Sequence, residues 1–288
     1  MINALDTLWL TVATFMVLLM QVGFLLLEGG RVRAKNSINV AQKNASDLAV
    51  SWVCYTAFGF LIMFGVFAPM TDATQAINQS LSPIEFIYQL AFCAAAASIV
   101  SGAVAERISF KAYLALVVVI SGIIYPFVGR TIWGNLFTSD VTPWLYDIGF
   151  RDFAGSTVVH GVGGWVGLTA IIMLGARTDR FDEAGNPNPL PAHSSVLSLV
   201  GVLVLLFCWF GFNAGSISPQ DPLLQRVLIN TLTAAAFGAL AGMIVGAWLD
   251  KGVFNPNRIC SGLIGSLVAT TAAINTICLL YTSDAADE

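Results

Sequence analysis

Long apolar runs alternate with short polar ones along the whole chain. Eight runs stand out, at roughly 5–27, 46–68, 85–104, 112–129, 153–175, 195–215, 227–249 and 259–280. Each is close to the roughly 20 apolar residues that a helix needs to cross a hydrocarbon core about 30 Å thick. The segments between them are short and polar, with Gly, Pro, Asn and Asp at the turns. The pattern predicts an all-α integral membrane protein, with no soluble domain and no low-complexity linker. The first run follows Met-Ile-Asn-Ala-Leu-Asp, which lacks the basic region of a secretory leader, and is read as a retained helix.

Composition points the same way. Of 288 residues, 57% are hydrophobic and 10% charged, with a mean hydropathy of +0.78. Soluble domains carry about 25% charged residues, so the solvent for this chain is lipid. A net charge of −4 without a basic cluster gives no reason to expect nucleic acid. The five cysteines are scattered, with no C-x-x-C pair. They read as small buried hydrophobes and support neither a disulfide framework nor a metal site.

The basic residues set an orientation. One set of alternate loops holds Arg31, Arg33, Lys35, Lys43, Arg107, Lys111, Arg177, Arg180, Lys251 and Arg258, and the other only Arg130, Arg151 and Arg226. Cytoplasmic loops are the basic ones, which puts the N-terminus outside. Glycine and alanine are frequent within the runs, as at Ala94–Ala97 and Gly161–Gly167. Small residues let helices approach closely in lipid, so a tightly packed bundle is expected.

Candidate chemistry centres on Asp152-Phe-Ala-Gly-Ser-Thr-Val-Val-His160. It places an acid at the mouth of the fifth run and a histidine within it. An ionisable group inside a span is costly and marks an ion or proton pathway by default. Asp152 is positioned to cap the exposed N–H groups of that helix. Asp152, Ser156 and His160 are not a hydrolase triad: they lie on one helix, without a nucleophile elbow or an oxyanion motif. The chain is not expected to be an enzyme or to carry a cofactor.

The segment from Asp152 to His160, closing at Gly175-Ala-Arg177, resembles the signature of the ammonium transporter family (the Amt/Mep/Rh group). Trp209-Phe-Gly-Phe-Asn-Ala-Gly-Ser216, Gly102-Ala-Val-Ala-Glu-Arg107 and Glu28-Gly-Gly-Arg-Val-Arg-Ala-Lys-Asn36 are similar to three further motifs of that family, in order along the chain. The resemblance implies a pore-forming bundle of eleven helices built as inverted repeats, of which about eight are present here, and assembly as a homotrimer. Residues 1–276 read as a partial transporter domain. Residues 277–288 do not resemble the family and read as a non-native tail.

The resemblance also implies roles. Trp133 matches the vestibule tryptophan that offers a cation–π face, worth about 0.5–2 kcal/mol. Ser216 matches the hydroxyl that accepts a hydrogen bond from the ion, and Phe92 and Phe212 the stacked rings that gate the pore by excluding hydrated ions. Phe92 therefore belongs to both the outer site and the gate. Trp209 matches a lower-pore tryptophan, and His160 one of two paired pore histidines that accept and donate protons. Asp152 supports the site and is not a direct ligand. His193 is read as a loop residue rather than the twin of His160. Glu28, Glu106 and Arg107 are read as structural pairs near the inner face. The Asn78-Gln-Ser80 sequon is assigned no role.

The expected activity is passage of ammonium or ammonia across a bacterial inner (plasma) membrane. A PII-type regulatory protein would dock at a C-terminal region beyond this chain. The competing expectation is a sensor, in which the ammonium-binding bundle is fused to a kinase or cyclase output domain. The loop from Asn135 to Arg151 and the Gly-Ser-Thr variant after Asp152 bear some resemblance to such fusions.

Overall fold

The computed structural model describes residues 3–65, 81–138 and 140–277. Seven of its helices are long and apolar enough to cross a membrane: α1 (Ala4–Arg31), α2 (Ala34–Phe64), α3 (Pro83–Ala103), α4 (Phe110–Trp133), α5 (Ser156–Leu174), α6 (Ser195–Ala214) and α7 (Leu224–Leu249). An eighth, α8, covers Pro256–Thr270. The protein is an all-α integral membrane protein. The sequon at Asn78, Cys278 and the tail after Ile277 lie outside the described residues.

Local signals start these helices. Asn3 accepts from the Asp6 N–H at 2.8 Å to cap α1. Ser82 and Glu85 form a reciprocal capping box ahead of α3, with Pro83 in its first turn. Ser109 and Ser194 cap α4 and α6, and Asn255 caps α8 with Pro256 behind it.

Two boundaries differ from the hydropathy reading. The second helix begins at Ala34 rather than near 46. Lys43, Asn44 and Asp47 lower the apolar signal of its first half, yet all three side chains are buried in the bundle. The last helix stops at Thr270 instead of running to 280. Thr271 turns its hydroxyl to Trp209 and Asn213, and the chain passes into turns through Asn275.

Three π-helical stretches interrupt the spans, Tyr55–Gly59 in α2, Ile120–Ile124 in α4 and Ser156–Gly161 at the start of α5. Such bulges recur at functional sites. The core runs along the bundle axis through Phe86, Phe92, Val159, Trp209 and Phe212. Large apolar groups such as Trp165, Ile172, Met173 and Trp248 point outward, as expected where the surroundings are acyl chains.

Helix α1 packs along α6, and α7 along α8. The α7–α8 seam depends on missing side chains: a Cβ on Gly262 would strike the Gly238 carbonyl oxygen, and one on Gly242 the carbonyl oxygen of Arg258. Close backbone approach at small residues is how helices associate in lipid.

Candidate functional site

Two cavities open from opposite ends of the bundle, and a stack of aromatic rings separates them. The first, about 680 Å³, is lined by Trp133, Phe92, Asp152, Ser216, Tyr88 and Trp9, among others. The second, about 710 Å³, is lined by His160, Trp209, Glu28, Arg31, Arg107 and Arg177, among others. It opens at the basic end of the molecule.

The rings between them form a continuous column. Trp133 lies 6.0 Å from Phe92, and Phe92 lies 4.3 Å from Phe212. Phe212 is 5.2 Å from the His160 imidazole, which stacks on Trp209 at 4.9 Å with 15° between planes. Four helices supply these groups: Phe92 from α3, Trp133 from α4, His160 from α5, and Trp209 and Phe212 from α6. Phe212 is fully buried. Trp133, Phe92, Phe212, His160 and Trp209, singled out from sequence, thus form one unbroken series of ring contacts, and Ser216 lines the first cavity.

Asp152 organises the entry to α5. Its Oδ1 accepts from the N–H groups of Gly155 (2.8 Å) and Ser156 (3.0 Å), and its Oδ2 from those of Thr157 (2.8 Å) and Val158 (2.9 Å). One buried carboxylate thereby satisfies four amides at the start of the helix, each bond strengthened by its charge. Gly155 makes the turn at φ 114°, a value that a side chain would oppose. The π-helical turn just after it brings His160 to the column. Ser156 Oγ ties the same turn to the break after α8, donating to the Val268 carbonyl at 2.6 Å and accepting from the Ala272 N–H at 2.6 Å. The Asp152 backbone carbonyl also accepts from Trp133 Nε1 at 2.7 Å, fixing the indole in the cavity wall.

His160 is 8% exposed, and its Nε2 has no hydrogen-bond partner among the described residues. A buried polar nitrogen without a partner is unusual and leaves one lone pair or N–H for a transient ligand. Ser216 donates to the Phe212 carbonyl at 3.1 Å, and its oxygen lies 3.4 Å from the Tyr88 hydroxyl in the wall of the first cavity. His193 lies in the loop before α6, where its N–H meets the Val32 carbonyl at the basic end.

Sequence reasoning passed over several groups that hold this arrangement. Tyr88 lies four residues before Phe92, with ring centroids 4.5 Å apart, and its hydroxyl reaches the Gly211 and Phe212 carbonyls, both at 3.0 Å. Trp209 Nε1 donates to Thr271 Oγ1 at 2.8 Å, and Thr271 leads on to Asn213 and Thr231. The available signal for Tyr88 was its i, i+4 relation to Phe92 within one helix.

Glu106 and Glu28 both read from sequence as pairs at the membrane edge; Glu106 is paired with two arginines, whereas Glu28 is buried against neutral donors. Glu106 sits in the turn after α3 at φ 62° and bridges Arg33 (3.0 Å) and Arg177 (3.1 Å). Burial pushes its carboxyl up. Donors from Asn36 and from the Arg33 backbone and guanidinium outweigh that, and hold it below the usual carboxylate range. Arg107 donates to the Gly175 carbonyl instead of meeting a carboxylate. Glu28 is buried and meets Asn44 and Ser101.

Comparison with known proteins identifies a family for the chain. A family model described as "Ammonium Transporter Family" matches residues 8–282. The chain is 38% identical over 284 residues to the putative ammonium transporter sll0537 of Synechocystis, covering 96% of this chain and 52% of that protein. It is also 38% identical over 278 residues to the ammonium transporter Amt2 of Archaeoglobus fulgidus, covering 93% of this chain and 59% of that one. The chain therefore spans little more than half the length of these relatives. Among solved structures it is similar to a chain titled "Sensor Amt Protein", with a TM-score of 0.88 and 36% identity over 95% of this chain and 69% of that chain. It is also similar to Mep2 of Candida albicans, with a TM-score of 0.80 and 25% identity over 94% of this chain and 61% of that chain. By its sequence and its fold, the chain belongs to the Ammonium Transporter Family.

Proposed function

We propose that this chain forms much of a transmembrane pathway for ammonium or ammonia, entered from the Trp133 cavity and left through the cavity at the basic end. The observation that carries this reading is the column from Trp133 through Phe92 and Phe212 to His160 and Trp209. An ammonium ion in hydrocarbon would face a Born cost of tens of kcal/mol. Aromatic faces at Trp133 and Phe92, with the Ser216 hydroxyl, compensate that charge at the entrance. The Phe92–Phe212 pair excludes hydrated ions, and His160 hydrogen-bonds the dehydrated species within the bundle. Asp152 acts at a distance, by holding the turn and the Trp133 indole. The function is transport, not enzymatic catalysis.

The excess of Lys and Arg at one end supports a cytoplasmic location for that end in a bacterial plasma membrane, with the N-terminus outside. Assembly as a homotrimer, regulation by a PII-type protein, and a domain limit at residue 276 belong to the same proposal. The test is uptake of ammonium or methylammonium by the full-length protein in proteoliposomes. Flux above that of empty vesicles is expected; its absence would overturn the reading.

A second reading is an ammonium-responsive sensor module. It is favoured by the likeness to the chain titled "Sensor Amt Protein", whose TM-score of 0.88 exceeds that of Candida albicans Mep2. Ammonium-dependent change in an output domain of the full-length protein, without flux, would select it.

A further inference from the structure

A second set of ionisable groups lies beside the pathway, buried among α1, α2, α3 and α4. Glu28 of α1 is 6% exposed, and Lys43 and Asp47 of α2 are fully buried. Glu28 Oε2 accepts from Asn44 Nδ2 at 3.0 Å and from Ser101 Oγ at 2.9 Å. Its Oε1 lies against Gly102, another residue of the second cavity's wall. Lys43 Nζ donates to the Ser101 carbonyl at 3.4 Å and lies over the Tyr113 ring. Asp47 accepts from the Tyr113 hydroxyl at 2.6 Å and lies 3.3 Å from Ser98 Oγ, which is 2.6 Å from Gln21 Oε1.

The charges of this set do not cancel. Two carboxylates and one ammonium leave one surplus negative charge at a depth where unpaired charge is expensive. One proton on either carboxyl removes it. Asp47 is enclosed, whereas Glu28 lines the cavity that also contains His160, with its unpartnered Nε2. The set and the pathway therefore share a space at Glu28.

We propose that Glu28 is a proton-exchange site for the transported nitrogen species in the basic-end cavity, with Lys43 and Asp47 supplying the charge balance that lets one proton reside there. The inference rests on the ammonium/ammonia reading and deepens it. On arrival in the basic-end cavity, ammonia that has passed His160 takes the proton of the Glu28 carboxyl. The carboxyl O–H bond breaks, an N–H bond forms, and ammonium leaves with the proton while a carboxylate remains. Asn44 and Ser101 already donate to that carboxylate, and Lys43 lies nearby. Hydronium from the cytoplasmic water restores the carboxyl. Arg31, Arg107 and Arg177 line the same cavity, and their positive charge discourages ammonium from staying. The titratable and charged groups facing Glu28 are thus Arg31 on its own helix, Lys43 and Asp47 on α2, Tyr113 on α4, Arg107 and Arg177 from the turns, and His160 across the cavity.

The experiment uses the full-length protein in proteoliposomes, with ammonium uptake recorded across about pH 5 to 8, the range in which such a group is useful. Glu28→Gln keeps the shape and one acceptor but cannot exchange the proton. Its uptake rate is expected to fall by about 100-fold, at the low end of what proton-transfer groups contribute, and the remaining uptake to lose its pH dependence. The apparent affinity for ammonium should stay near wild type, and Glu28→Asp should restore part of the pH dependence. Wild-type uptake with the wild-type pH profile in Glu28→Gln would overturn the proposal. If wild type itself shows no uptake above empty vesicles, the transport reading fails instead. Should Glu28→Gln not fold, infrared difference spectra of the wild type decide. Loss of a buried protonated-carboxyl band on adding ammonium, but not sodium, supports the proposal, and an unchanged band overturns it.

Discussion

Phe212 stands between two partners, with the Phe92 ring at 4.3 Å and the His160 imidazole at 5.2 Å. This fully buried side chain belongs to the aromatic stack between the two cavities. Replacing it with alanine in the full-length protein should join them, at a stability cost of about 3–5 kcal/mol. Potassium current above that of the wild type is the expected sign of lost exclusion. A Phe212→Ala protein that folds and still rejects potassium would show that the barrier lies elsewhere.

Asp152→Ala removes the acceptor of four backbone N–H groups at once. Hydrogen bonds to charged groups contribute about 1.5–3 kcal/mol each, though four that share one carboxylate will not add. The variant should melt well below wild type in detergent and lose most ammonium flux. Asp152→Asn keeps only one oxygen for the four amides and should fall between the two. An unchanged melting temperature in Asp152→Ala would contradict the role described for the clamp.

Glu106 gives a pH-dependent contribution whose sign is fixed. Its carboxyl is held below the unfolded value of about 4.3. The stabilisation is therefore complete above that value and disappears as pH falls through the folded-state value. Glu106→Gln should lower the melting temperature at neutral pH, by about 2–4 °C for each kcal/mol lost in a chain of this size. The gap to wild type should narrow below about pH 4. A gap that stays constant with pH would show that the ion pairs to Arg33 and Arg177 contribute nothing.

The α7–α8 seam offers a paired test. Gly262→Val places side-chain atoms where the Gly238 carbonyl lies and should force the helices apart, lowering yield and melting temperature. Gly265→Ala, on the same helix but with open space around its Cβ position, should be tolerated. Equal behaviour of the two would mean that the close approach is not needed.

Much of this was legible in the sequence. Apolar length located all eight helices α1–α8, with the start of α2 and the end of α8 misplaced, and the Asp152–His160 and Trp209–Ser216 segments pointed to groups that meet in the column. The start of α2 was hidden because Lys43 and Asp47 are polar residues used inside the bundle, which hydropathy counts against a span. Glu28 looked like a membrane-edge residue for a related reason: sequence position near a helix end does not reveal which way a side chain faces. Tyr88 and Thr271 act through contacts with residues far away in the chain, Gly211 and Trp209, that no local pattern encodes. The π-helical turns likewise have no composition of their own.

The turn at Ser156–Gly161 carries one consequence for how variation in this region is interpreted. A wider turn holds one residue more than an α-helical turn, and each residue rotates the rest of the helix by about 100°. Chain length between Asp152 and His160 is thus under tighter constraint than most of the side chains along it. Losing a single amino acid there would re-aim the imidazole away from the rings it stacks on, even with every named residue intact. Substitution-based comparison overlooks that kind of damage, and counting residues detects it.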